Sequence, residues 1–140
     1  MKTKEQLQQE LMQSVDGLLM HSEIEAPFEF VYIRLRPDQS YGPEAVAEWA
    51  GKPSGMKVQT KELEQFMQEM KGLSTDARWN NSAVGYQLLT DKLHALLENV
   101  KVYCITQIGT EVYMLGKAED GSFCGLRTMV IHDEATIAED

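Results

Sequence analysis

The sequence predicts an α+β protein built on a central, mostly antiparallel sheet of about four strands, with helices before and within it. Three observations carry this expectation. Apolar residues recur at helical spacing in several separate stretches. From Phe28 to Leu35 the period drops to that of a strand, and both alternate sets are apolar. Three more strand-like runs then follow closely near the end of the chain, joined by short turn-forming sequences. A strand that is apolar on both sides must be covered on both sides, so helices are expected on each face of the sheet.

Taken in order, Thr3-Lys4-Glu5-Gln6 has the form of a capping box, in which the threonine oxygen accepts from a helical amide and the glutamine reaches back. Leu7, Leu11, Val15, Leu18 and Leu19 form one apolar stripe, and Gly17 should close or bend the helix near its end. In the strand that follows, Phe28, Phe30 and Tyr32 face one way and Val31, Ile33 and Leu35 the other. Residues 36–42 are loop by composition. Pro43 opens a short helix with Ala45, Val46, Trp49 and Ala50, broken by the Gly- and Pro-containing residues 51–55. Thr60 is placed to cap the next helix, which sets Leu63, Phe66, Met67 and Met70 on one side and closes near Gly72 and Ser74. Val84, Leu88, Leu89, Leu93, Leu96, Leu97 and Val100 mark the longest helix. Strands are expected over about 101–108, 111–117 and 123–131, with tight turns at Gly109-Thr110 and at Glu119-Asp120-Gly121-Ser122.

A chain of 140 residues, 43% hydrophobic and 25% charged, can bury a core without metal or disulfide staples. No apolar run approaches the roughly 20 residues of a spanning helix. The first residues are polar rather than signal-like. Cytoplasmic residence without a membrane partner is the expectation. Cys104 and Cys124 lie in strand-like runs and read as reduced, buried apolar residues. His21, His94 and His132 show no zinc-ligand spacing, so neither a metal nor a cofactor of its own is expected. The net charge of −9, from 13 basic and 22 acidic residues, argues against direct nucleic-acid binding, which relies on Lys and Arg displacing counterions. The same charge would steer the protein towards a basic protein surface, or simply keep it in solution.

The segment from Ser22 to Phe30 lies where the first helical pattern stops and the aromatic strand begins. Pro27 stiffens it and biases Ala26 towards an extended conformation, so a carboxylate there can be held in a defined direction. Together, Asp16-Gly17-Leu18-Leu19, Ser22-Glu23, Glu25 and Pro27-Phe28-Glu29 resemble the nuclease A inhibitor family, small proteins that bind sugar-non-specific nucleases. Weaker similarity continues through Trp79, Leu88 to Leu97, Val102-Tyr103, Val112-Tyr113 and Gly125-Leu126, with the densest match between residues 11 and 30. The resemblance implies an α–β–α sandwich, one domain over residues 1–133, and an acidic tail over 134–140. It also implies a non-catalytic inhibitor whose partner is a sugar-non-specific nuclease.

The same resemblance implies that Glu23 reaches into the nuclease's active site and engages the catalytic metal, directly or through its water. The chemistry is sound on its own terms. Hard divalent cations take oxygen ligands and retain waters, so a carboxylate can stand in for a scissile phosphate oxygen. The plain alternative is a solvated loop glutamate. Glu25 and Glu29 could supply rim charge against the basic residues that normally hold nucleic acid; equally, Glu29 could protect a sheet edge. His21 is a neighbour of this loop without an assigned role. Trp79 corresponds to a tryptophan that contacts the nuclease in the family, and such central aromatics often contribute about 2 kcal/mol or more. Its alternative is a cap on the core beneath the long helix. In the family pattern the chain stops soon after the last strand and its terminus joins the contact. The equivalent point here is close to Asp133, and Glu134 to Asp140 continue beyond it, so a free terminal carboxylate cannot take the same place. Trp49 reads as core, and so do Met67 and Met70, although methionines also make adaptable binding surfaces.

Catalysis has little support. There is no Gly-x-Ser-x-Gly elbow, phosphate loop or dinucleotide fingerprint, and no His is paired recognisably with an acid. Besides inhibition, an acidic adaptor of the same fold that binds another protein remains open, the lengthened tail being its main support. So does a hydrolase working from the Ser22-Glu23-Glu25 loop. Inhibition that emerges only on trimming the tail would separate the first pair, and metal-dependent turnover the last.

Overall fold

The computed structural model describes residues 3–22, 24–35, 38–53, 56–73, 82–107 and 109–131. The elements in chain order are α1 (Lys4–Ser14), β1 (Met20–His21), β2 (Glu25–Ala26), β3 (Glu29–Ile33), α2 (Pro43–Trp49), β4 (Gln59–Glu62), α3 (Leu63–Leu73), α4 (Ala83–Leu96), β5 (Glu98–Thr106), β6 (Thr110–Lys117) and β7 (Phe123–Val130). The α+β class is as expected. The sheet has five strands rather than about four, in the order β3-β7-β6-β5-β4, and every neighbouring pair is antiparallel. A separate two-stranded ribbon joins β1 to β2, pairing Met20 with Ala26 and His21 with Glu25.

The additional strand is β4. Thr60, expected to cap a helix, instead pairs with Tyr103 across the β4–β5 ladder, and α3 starts directly after the strand at Leu63. The capping box at Thr3 does form: Gln6 N donates to Thr3 Oγ1 at 3.1 Å, and Thr3 N donates to Gln6 Oε1 at 2.8 Å. Gly17 adopts φ +74° in the turn after α1, a conformation that suits glycine. Pro43 is the first residue of α2. At the last hairpin Gly121 has φ +87°, and Asp120 Oδ1 accepts from Ser122 N at 2.9 Å.

Two apolar clusters lie on the two faces of the sheet. On one, α1, α3 and α4 bring Leu7, Leu11, Phe66, Met70, Leu89 and Leu93 against Val102, Met114, Leu126 and other strand residues. On the other, Val46 and Ala47 of the single short helix α2 pack with Val31, Ile33, Tyr103, Ile105, Tyr113 and Leu115. The alternation expected for β3 holds: Phe28, Phe30 and Tyr32 join the first cluster, while Val31, Ile33 and Leu35 join the second. Met70 is buried and Met67 is packed against the core, so this methionine pair is structural. Both cysteines are free and buried. Burial, with the nearby Asp120 charge, pushes the Cys124 thiol up to about 11.

One expectation fails by facing. Trp49, expected in the core, is 41% exposed and lies nearly perpendicular to Tyr113, with ring centroids 6.0 Å apart. Val84 and Leu88 belong to α4 but not to its buried stripe; they are 74% and 59% exposed. No helix among the described residues is long and apolar enough to cross a membrane.

Candidate functional site

Glu23, Trp79 and Asp133, three of the sequence-predicted partner residues, lie outside the described residues, as does the tail at 134–140. The fourth, Glu25, is on β2, exposed, and pairs in register with His21. Its Oε1 stands 3.6 Å from His21 Nδ1. The described ribbon around Glu25 is held by residues whose roles the sequence did not advertise.

Tyr86, buried on α4, inserts its hydroxyl at the start of the ribbon. The oxygen donates to Leu19 O at 2.6 Å and accepts from His21 N at 3.2 Å. A buried tyrosine needs a partner for its hydroxyl, and here that need fastens helix to ribbon. His21 stacks edge-on against Tyr86, with centroids 6.3 Å apart, and its Nε2 lies 3.0 Å from Ser82 Oγ. That contact ties the ribbon to the residue immediately before α4. His21 Nδ1 is buried and has no hydrogen-bond partner among the described residues. It faces the Glu25 carboxylate across the ribbon.

Ser22 closes the tip. Its amide donates to Ile24 O at 2.9 Å, and its hydroxyl donates to Ile24 O at 3.2 Å while lying 3.4 Å from Ile24 N. The same hydroxyl accepts from Ile131 N at 3.0 Å, just beyond the end of β7. Lower down, Thr128, buried on β7, donates to Pro27 O at 3.0 Å and clamps the approach to β3. The hairpin tip, the start of α4 and the end of β7 therefore meet at His21-Ser22.

Ser22→Ala removes the acceptor for Ile131 N. We expect a loss of about 1 kcal/mol in urea unfolding, typical of one net hydrogen bond. Faster amide hydrogen exchange at Ile131 should accompany it; an unaltered exchange rate would show that this bond does not hold the strand end.

Glu29 turns out to serve the sheet. It stands opposite Arg127 on the edge strand β3, and its Oε1 accepts from Arg127 Nη1 at 3.0 Å. Arg127 also donates to Glu111 Oε1 at 3.2 Å, and Lys52 pairs with the other oxygen of Glu111. Burial alone would raise the Glu111 carboxyl. The bonds from Lys52, Tyr113 and Arg127 and the Lys52 charge outweigh it and hold the group below the ordinary glutamate range. A depressed carboxylate stabilises the fold above its unfolded pKa and loses that contribution as pH falls through the folded one, so this network is an acid-labile brace.

With this geometry in place, comparison with known families gives a clear result: the nuclease A inhibitor-like protein family model matches residues 5–133. The match spans nearly the whole chain, and the protein belongs to that family. No curated protein matches the chain.

Proposed function

We propose that the protein is a non-catalytic inhibitor that binds and blocks the active site of a metal-dependent, sugar-non-specific nuclease. Family membership supports a nuclease as the partner. The observation that carries the reading is the convergence at His21-Ser22, where the ribbon, the start of α4 and the end of β7 are joined through Ser82 Oγ and Ile131 N. Trp79 is three residues from Ser82 and Asp133 two from Ile131. Whatever conformation these residues adopt, their Cα atoms lie within roughly 11 and 7 Å of those anchors, since an extended chain spans at most ~3.6 Å per residue. One partner surface of standard size, about 800 Å² on each side, can reach all of them.

In this reading Glu23, at the hairpin tip, engages the nuclease's metal, and Trp79 is an aromatic anchor. Glu25 and Asp133 supply acidic flanks to a cleft whose lysines and arginines otherwise hold nucleic acid. The net charge of −9 supports electrostatic steering into such a cleft. The test is titration of a purified metal-dependent nuclease with this protein at low salt, following cleavage of DNA and RNA. We expect loss of both activities near one equivalent, with association slowing as salt rises. A nuclease left fully active by an excess of the protein would overturn the proposal for that target.

One observation favours keeping the adaptor reading in view: the family match stops at residue 133, leaving Glu134 to Asp140 beyond it. A chain ending at Asp133 discriminates. Inhibition that emerges only in this shortened chain identifies the tail as a block, whereas capture of a non-nuclease protein by both forms supports the adaptor.

A further inference from the structure

Among the described residues only four large hydrophobic side chains are exposed: Ile24, Trp49, Val84 and Leu88. Trp49 belongs to α2, on the face opposite α4. The other three lie towards the site. Ile24 flanks the hairpin tip. Val84 and Leu88, one helical turn apart, run down α4 from Ser82, the residue that contacts His21. Leu88 and Ser82 also line a groove of about 580 Å³ between α1 and α4, with Gly85 and Leu18 beside them. A methyl at Gly85 would stand 2.9 Å from Leu18 Cδ1, so glycine there lets the turn after α1 settle closely against the helix.

We infer that Val84 and Leu88, linked to the hairpin through the His21–Ser82 contact, are the apolar flank of the nuclease interface, seated on the rim of the nuclease's catalytic cleft. The inference rests on the inhibitor reading, and two arguments carry it. A stable interface needs about 800 Å² from each partner. The hairpin tip between Ser22 and Ile24 is too small to supply that, so neighbouring surface must be covered as well. Of the surface continuous with the tip through the His21–Ser82 contact, the Val84–Leu88 face is the part with exposed apolar side chains. Covering apolar side chains also supplies burial that a carboxylate-bearing tip cannot, at roughly 25 cal/mol per Å² removed from water.

The test uses the full chain with Val84→Asp and Leu88→Asp together. Both positions are exposed, and Val84 lies in the first turn of α4, where an acidic residue is favourable, so folding should be unaffected. Added negative charge would strengthen attraction to a basic cleft, so weakened binding would run against the electrostatic trend. With an immobilised sugar-non-specific nuclease, Mg²⁺ and low salt, we expect the dissociation constant to rise at least tenfold, while the wild type binds and inhibits. Val84→Ser with Leu88→Ser should show a smaller loss of the same sign. An unchanged constant in both variants, with a wild type that still inhibits, overturns the apolar flank and leaves the inhibitor reading standing. A wild type that neither binds nor inhibits sinks both. A wild-type dimer in sedimentation that the double variant dissolves, without change in nuclease binding, assigns the face to a second copy and overturns the inference.

Discussion

Gly125→Ala is expected to be the most damaging single-methyl change in the described fold. Gly125 lies in β7 between β3 and β6, opposite Val31 on one side and Leu115 on the other. A Cβ there would stand 1.8 Å from Met114 O and 2.9 Å from Met114 C, both backbone atoms of β6. No side-chain rotation relieves such a clash. Either the β6–β7 ladder opens or the strand shifts by more than an ångström in the middle of the sheet. We expect a loss on the order of 3–5 kcal/mol, at the severe end of single substitutions and comparable to the whole stability of a marginal domain. Gly85→Ala is the control, since its methyl meets only the mobile end of Leu18 and alanine is the better helix former. Urea unfolding of the two variants beside the wild type decides the matter. A Gly125→Ala protein within about 1 kcal/mol of wild type would show that the strands are not so closely opposed.

What could be read from sequence, and what could not, divides along local and long-range physics. The capping box at Thr3, the two-faced β3 and the Asp120-Gly121 turn are each specified by neighbours a few residues away, and each formed as expected. β4 was missed because Gln59-Thr60-Lys61-Glu62 has no apolar alternation of its own. It becomes a strand only by pairing with Lys101–Cys104, distant in sequence. Trp49, Val84 and Leu88 were read by residue type, and type alone does not say which way a helix turns.

The site shows the same division. The acidic candidates stand out in the sequence, whereas the residues that fasten the ribbon beside them do not. Tyr86 and Ser82 lie more than sixty positions from the backbone and ring they hold, and Ser22 reaches across 109. One signal was available. A tyrosine at a buried helical position must find a partner for its hydroxyl, and this could have directed attention to the α4 end of the ribbon. Glu29 admits both rim charge and a sheet-edge role from sequence, and its pair with Arg127 shows that it contributes to the edge.

Glu23→Ala is expected to cost inhibition at least a hundredfold, about 3 kcal/mol at 1.4 kcal/mol per factor of ten, while leaving unfolding unchanged. The second half follows from how the tip is closed. The bonds between Ser22 and Ile24, and from Ile131 to Ser22, use backbone groups and the serine hydroxyl, and Glu23→Ala leaves all of these groups in place. The first half follows from what a carboxylate does near a divalent cation: it replaces a water or phosphate oxygen with a full negative charge. Glu23→Gln keeps the shape and removes the charge, so it should lose nearly as much. Measuring the dissociation constants of wild type and both variants from the nuclease with Mg²⁺, and again after chelation when no activity remains to inhibit, forms a cycle that isolates the contact to the metal. The penalty should be large with metal and largely vanish without it. A penalty of equal size in both conditions would mean that Glu23 meets protein groups and not the cation. No penalty in either would remove it from the mechanism and leave recognition to the flanking surface.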